Sequence, residues 1–244
     1  MKLISLVAGL VVSVCAFAQG CDKHAAEKQA IRGAWDRIAT ATKGAEQADL
    51  LSKGTIDYYT RIIRNALDSP SKDVLSYPPY DQRVILRIRH RCKRSELRTI
   101  NGRGLVILEV ERGWDAQNSI DPEEWQLTNI RVDESGGRAS AQIYNPAWEA
   151  EYRSSSFARS LSRSSRRLAG GVEKPPRYPI EFVREGEGAG EWKIDETAAF
   201  AQIDKEIAGT AKKLRMSVRD FLMAIEEDES GEAVPMSIWE PMKK

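Results

Sequence analysis

The sequence predicts an α+β fold: N-terminal helices packed on a curved, cone-like antiparallel sheet, with a helical extension at the C-terminus. Three observations predict it. Apolar residues in the first half recur at three- and four-residue spacing, the period of an amphipathic helix. In the second half, "EEWQLTNIRV" and "RYPIEFVR" alternate apolar and polar residues, as half-buried strands do, and Gly-rich turns lie beside them. Helical periodicity returns after residue 196. Helices and hairpins of this kind bury their apolar faces against each other in two layers.

Ile31, Ala34, Trp35, Ile38 and Ala39 predict a helix over roughly 23 to 43, with Asp22 as cap and Gly44 as stop. A short helical piece carries Leu50 and Leu51. "TIDYYTRIIRNALDSP" predicts a third helix, with Thr55 as cap and Ile56, Tyr59, Ile62, Ile63 and Ala66 as its apolar face. In "YPPYDQRVILRIRHRCKR", Pro78 and Pro79 break the chain and Asp81 can cap a new helix. Val84, Leu86 and Ile88 alternate with Arg87 and Arg89 as in a strand, but the length and lack of Gly favour helix. Ser95 and Asn101-Gly102 bracket a further turn or two, and "GLVILEVERGW" reads as helix or strand.

A phase slip near Asn129-Ile130 predicts a bulge in the first strand. "DESGGR" is a turn and "ASAQIY" resumes the alternation. "RYPIEFVR" and "EWKID" pair through "EGEGAG". Between the hairpins, 146–176 is a basic insertion too long for a simple connection. Its Phe157, Leu161 and Leu168 form one helical stripe, with Arg153, Arg159, Arg163, Arg166 and Arg167 around it. "ETAAFAQIDKEIAGTAKKL" and "SVRDFLMAIEEDESG" predict two closing helices, the second opened by a Ser217–Asp220 capping box. "VPMSIWEPMKK" reads as an extended arm.

Residues 1–20 read as a secretory signal: Lys2, then an apolar run from Leu3 to Val14, then small residues. The run is too short to span a bilayer, which needs about 20 apolar residues. Two cleavage sites compete. Ala16-Phe17-Ala18 suits ordinary signal peptidase, and Ala18-Gln19-Gly20-Cys21 resembles a bacterial lipobox with Cys21 as the lipidated residue. Lipidation leaves Cys92 as a lone thiol. The other cut leaves Cys21 and Cys92 able to pair, a loop whose closure is worth about 4 kcal/mol. The domain then runs over 22–196, and 197–244 is the C-terminal helical extension and arm.

The 244-residue chain is 41% hydrophobic and 30% charged, ordinary for a globule, and its net charge of +1 argues against a general nucleic-acid binder. Arg83 to Arg103 nevertheless holds eight Lys/Arg against one acid, Glu96. Arg87, Arg89, Arg91, Lys93 and Arg94 cannot share one helical face, so most are expected in solvent, and together they could contact an anion. His24 is expected at the exposed mature N-terminus. His90 is expected to be solvated within the Arg-rich stretch. With so few Cys and His, no metal site or cofactor is expected. Gly186, Gly188 and Gly190 lie in an acidic turn that repels phosphate.

Helices, then a curved antiparallel sheet, then a closing hairpin ending in Trp192-Lys193-Ile194-Asp195 together resemble the nuclear transport factor 2-like superfamily over roughly 25 to 196. The resemblance implies a cone-shaped concavity that takes a small apolar ligand or a protein partner, and allows a dimer through the exposed sheet face. The basic insertion and C-terminal helices depart from it. Enzymes of that superfamily, isomerases and dehydratases, use a carboxylate base with a Tyr that donates to an oxyanion. Asp57, Tyr58 and Tyr59 are the weak candidates for such chemistry, against a plainer reading in which Tyr59 is core and Asp57 a solvated acid. The expected function is a non-catalytic, exported binding module, periplasmic and anchored through Cys21 if lipidated. Its Arg159, Arg163, Arg166 and Arg167 would lie on acidic headgroups or an acidic partner. The alternative is an isomerase or dehydratase using the same cavity.

Overall fold

The structure, a computed structural model, describes residues 23–114, 125–147, 177–186 and 190–243. The signal segment, Cys21, Asp22 and the arginines of the insertion lie outside them. The α+β class holds: helices pack on one face of a four-stranded antiparallel sheet in the order β1-β2-β3-β4.

Helix α1 (Ala25–Thr40) buries Ile31, Ala34 and Trp35, as its periodicity requires. It stops at Thr40, before Gly44, and Gly44 opens α2 (Gly44–Leu50). A Cβ at Gly44 would sit 2.6 Å from the Ile107 Cα, so the glycine serves a close helix approach rather than a stop. Helix α3 (Lys53–Asp68) is capped by Ser52, which accepts from the Thr55 amide at 3.0 Å, and not by Thr55 itself. Thr55 is fully buried, and its hydroxyl accepts from the Glu196 amide at 3.0 Å, tying the start of α3 to the end of the sheet.

A single turn, α4 (Ser71–Val74), leads to α5 (Pro79–Arg91), the predicted helix in the Arg-rich stretch. Pro79 sits in its first turn, where no intrahelical amide is needed. Asp81 therefore does not cap; it lies inside that turn and accepts from the Tyr58 hydroxyl at 2.8 Å. A turn, α6 (Arg94–Leu97), precedes α7 (Gly102–Glu111), which resolves "GLVILEVERGW" as helix. Asn101 caps α7 by accepting from the Gly104 amide at 3.0 Å. A Cβ at Gly102 would lie 2.0 Å from the Ile56 carbonyl oxygen, so α7 starts hard against α3.

The strands are β1 (Gln126–Val132), β2 (Arg138–Tyr144), β3 (Tyr178–Glu185) and β4 (Glu191–Asp195). The predicted bulge is present: register slips between Thr128 and Arg131, and Asn129 has a φ of 54°. Ala141, Ile143, Ile180, Phe182, Trp192 and Ile194 are buried on the helix-facing side, while Ser140, Gln142, Glu181 and Lys193 alternate with them. Helix α1 touches both edge strands, β1 and β4, so the sheet curls over it.

Helix α8 (Thr197–Lys213) packs on β3 and α5, and α9 (Val218–Ser230) packs on α5 and α8. The predicted cap forms: Ser217 accepts from the Asp220 amide at 3.1 Å and donates to its carboxylate at 2.6 Å. The last segment is not an extended arm. A 3₁₀ turn, Met236–Trp239, drops the Trp239 ring into the core at 3% exposure and packs on α5. Burying one large aromatic ring, worth about 3 kcal/mol, outweighs the freedom of a short polar tail.

Candidate functional site

The residues expected to carry chemistry separate in space. Asp57 lies on the solvent side of α3, paired with Lys53 one turn earlier. Tyr58 and Tyr59 both turn inward and meet edge to face at 5.2 Å. Tyr58 donates to Asp81 at 2.8 Å, and Tyr59 donates to Glu196 at 3.3 Å. Burial pushes both phenols well above their ordinary range, so each stays a donor at neutral pH. Burial also raises Asp81, with the Tyr58 hydrogen bond and the Arg61 charge opposing it. A Tyr with a tuned carboxylate is the composition an enolising site would need. Here the hydroxyl is spent on the carboxylate, and the Phe200 ring lies 4.6 Å from Tyr58 and 4.5 Å from Tyr80. The plainer reading of Asp57 and Tyr59 is the one observed. Sequence reasoning missed Asp81 and Glu196 as the tyrosines' partners, because both pairings join separate elements.

The Arg-rich stretch is not a solvated surface. Arg87 and Arg89 are 7% and 6% exposed. Arg83 and Arg87 share Glu229 at 2.6 and 2.9 Å, and Arg91 grips Glu226 through two bonds of 2.6 and 3.0 Å. His90 is not solvated either; its Nδ1 lies 2.9 Å from Glu226, with 9% of the side chain exposed. Arg89 donates to five backbone carbonyls, those of Asn65, Ala66, Ser69, Ile238 and Trp239. Burial lowers its pKa to about 10, and it remains cationic. The physical reason is long-range: α9 brings two carboxylates, and the C-terminal turn brings carbonyls, to a helix that lacks both locally. Cys92 is a free, buried thiol, and burial pushes its pKa up to about 12.

Of the eight cations from Arg83 to Arg103, six are held by carboxylates or carbonyls of other elements. Lys93 and Arg98 have no such partner among the described residues. Arg98 lies on the rim of a groove of about 410 Å³ between α3 and the α6 turn. Ile63, Leu67 and Leu97 supply a buried apolar floor, and Arg64 stands across from Arg98, exposed and likewise without an intramolecular partner among the described residues. Arg94 closes one side. It donates to the carbonyls of Leu67 at 2.7 Å and Met242 at 2.6 Å, and to Asp68 at 3.0 Å. Three arginines against one aspartate leave a surplus of two positive charges over an apolar floor.

Comparison with protein families, curated proteins and solved structures finds no match. The site therefore rests on its own geometry. Sequence reasoning missed the groove because Arg64 and Arg98 belong to separate helices and neither stands in a motif. The available signal was weak: Arg61 with Arg64, and Arg94 with Arg98, fall at helical spacing. Among the described residues no cluster of three His, Cys, Asp or Glu is placed to hold a metal, and no helix is long and apolar enough to cross a membrane. His24 is half-buried at the start of α1 rather than exposed.

Proposed function

We propose that this chain is an exported, non-catalytic binding module that engages a partner through the Arg64–Arg98 groove on its helical layer. One observation carries this. Each tyrosine an isomerase would use is hydrogen-bonded to a carboxylate, Tyr58 to Asp81 against the Phe200 ring and Tyr59 to Glu196, whereas the groove keeps two arginines without partners among the described residues over an apolar floor. Ionised groups left exposed and unpaired around a concavity suit binding better than proton transfer. The superfamily resemblance fits a curved sheet whose helix-facing side is packed with Phe182, Trp192 and Ile194. The opening apolar run supports export to the periplasm, and the Gly20-Cys21 pair after it supports a lipid anchor on Cys21.

The decisive experiment is a fluorescence titration of the mature chain with a steroid-sized apolar probe. No saturable uptake is expected. Equimolar binding that Tyr58→Phe weakens would overturn the module in favour of the isomerase or dehydratase. The anchor has its own test. Intact mass of the protein purified from cell membranes should match a chain starting at lipidated Cys21, and a chain starting at Gln19 would exclude the anchor.

A further inference from the structure

The groove's chemistry is specific enough to name a partner class. Its floor is aliphatic, formed by Ile63 and Leu67 from one α3 face and Leu97 and Ile100 from α6 and the turn after it. Its rim is cationic. The guanidinium groups of Arg64 and Arg98 are exposed and bind nothing else among the described residues. The one acid among the lining residues, Asp68, is paired with Arg94 at 3.0 Å, so it offers Arg64 and Arg98 no hydrogen-bonded partner. Arginine presents a planar fork that fits a carboxylate with two parallel hydrogen bonds, and it sheds water more readily than lysine.

We infer that the groove binds an acidic segment of a partner protein, with an apolar side chain set on the floor and flanking carboxylates held by Arg64 and Arg98. This rests on the binding-module reading above and adds the partner's chemistry to it. Concavity favours a peptide over a bilayer. A flat anionic surface would meet the rim arginines and leave the concavity of about 410 Å³ between them unfilled. An alternating acidic and apolar segment satisfies both the floor and the rim. Inorganic phosphate would satisfy the rim alone.

The test uses the full mature chain and a fluorescein-labelled heptapeptide of alternating Glu and Leu, read by anisotropy. Saturable binding is expected, weakened about tenfold in the Arg64→Ala/Arg98→Ala double variant, the size of two exposed charge-assisted contacts. It should also weaken with added salt, as rim electrostatics do. Arg32→Ala, an exposed change on α1, should leave binding as it was, and a Gln-for-Glu peptide should bind at least about tenfold more weakly. Peptide binding unaffected by the double variant would overturn the site. Phosphatidylglycerol vesicles or inorganic phosphate binding directly, and lost in the double variant, with no peptide binding, would overturn the partner class while leaving the groove as a binding site. No binding of any of the three probes would overturn the inference outright. The apolar-probe titration would then decide separately whether the chain is an enzyme.

Discussion

Helix α5 and the α3–α6 groove are both rich in arginine, but they use it differently. In α5, arginines enter the interior and meet acids from α9 and carbonyls from the C-terminal turn. In the groove, Arg64 and Arg98 stay exposed and meet nothing within the described residues. The difference lies in what the distant chain delivers. Carboxylates 135 and 142 positions away reach Arg91 and Arg87, and neutralise charges that would be intolerable if buried alone. No equivalent acid is delivered to the groove, so its cations remain in water. The same residue type is therefore structural at one site and available for binding at the other.

The contrast breaks most severely at Glu226. It is 3% exposed and faces both His90 and Arg91. Glu226→Ala strips the half-buried Arg91 of its two-bond partner and His90 of its acceptor, leaving Arg91 only Glu229 at 3.5 Å, and a loss of about 3 kcal/mol is expected from the urea midpoint. A loss under about 1 kcal/mol would mean that water already screens the network, and the two arginine populations would no longer differ in kind.

Next in size is Arg89→Met. The variant keeps the apolar stem but strips five carbonyls of their donor, and an expected cost of about 2–3 kcal/mol follows from the charge-assisted bonds lost. Because two of those carbonyls belong to Ile238 and Trp239, the C-terminal turn should detach first. Limited proteolysis should then cut beyond residue 231 in the variant and spare the parent. Equal protection in both would show that Trp239 alone anchors the turn.

Local pattern carried much of the fold and little of the site. Helices α1, α3, α8 and α9 follow from apolar spacing, and the Asn129 bulge follows from one slip in the strand alternation. What escaped was set by contacts far apart in sequence. The spacing of Arg87 and Arg89 says only that they occupy different sides of α5, and the acids that draw Arg87 inward lie on a helix folded back from the end of the chain. The last residues read as an arm because a lone Trp239 has no periodic neighbours, although its ring docks between α5 and α9, with Nε1 3.3 Å from the Met223 sulfur. Thr55, the cap the sequence suggests for α3, lies inside its first turn, and Ser52 just before the helix caps it instead. The decision came from Glu196, whose amide claims the Thr55 hydroxyl.

An intermediate case is Glu191, exposed yet paired. Lys193 and then Arg37 hold its carboxyl down at about 2. A depressed carboxylate contributes stability above its unfolded value of about 4.3 and loses it as pH falls through about 2. The side chain is 53% exposed, so solvent screening limits the contribution to about 0.5–1 kcal/mol. Glu191→Gln should cost that much at pH 7, and most of the gap should be gone by pH 2, where half the folded carboxyl is protonated. A gap that persists at pH 2 would assign the effect to packing between α1 and β4 rather than charge.

The smallest expected effect is the one that sharpens the contrast most. Arg64→Ala/Arg98→Ala should leave stability within about 0.5 kcal/mol of the parent. Neither guanidinium gives up a bond inside the described residues, so no donor or acceptor is orphaned. Alanine is at least as good a helix former as arginine, which matters for Arg64 within α3. Relief of repulsion from Arg94 acts in the same direction, against the packing lost along the arginine stems. Urea unfolding at low and high salt is the measurement. The parent should gain slightly on the double variant as salt rises, since salt screens a repulsion that only the parent retains. A loss above about 1 kcal/mol would place these arginines with those of α5, as parts of the scaffold, and would remove the physical ground for treating the groove as a surface kept open for a partner.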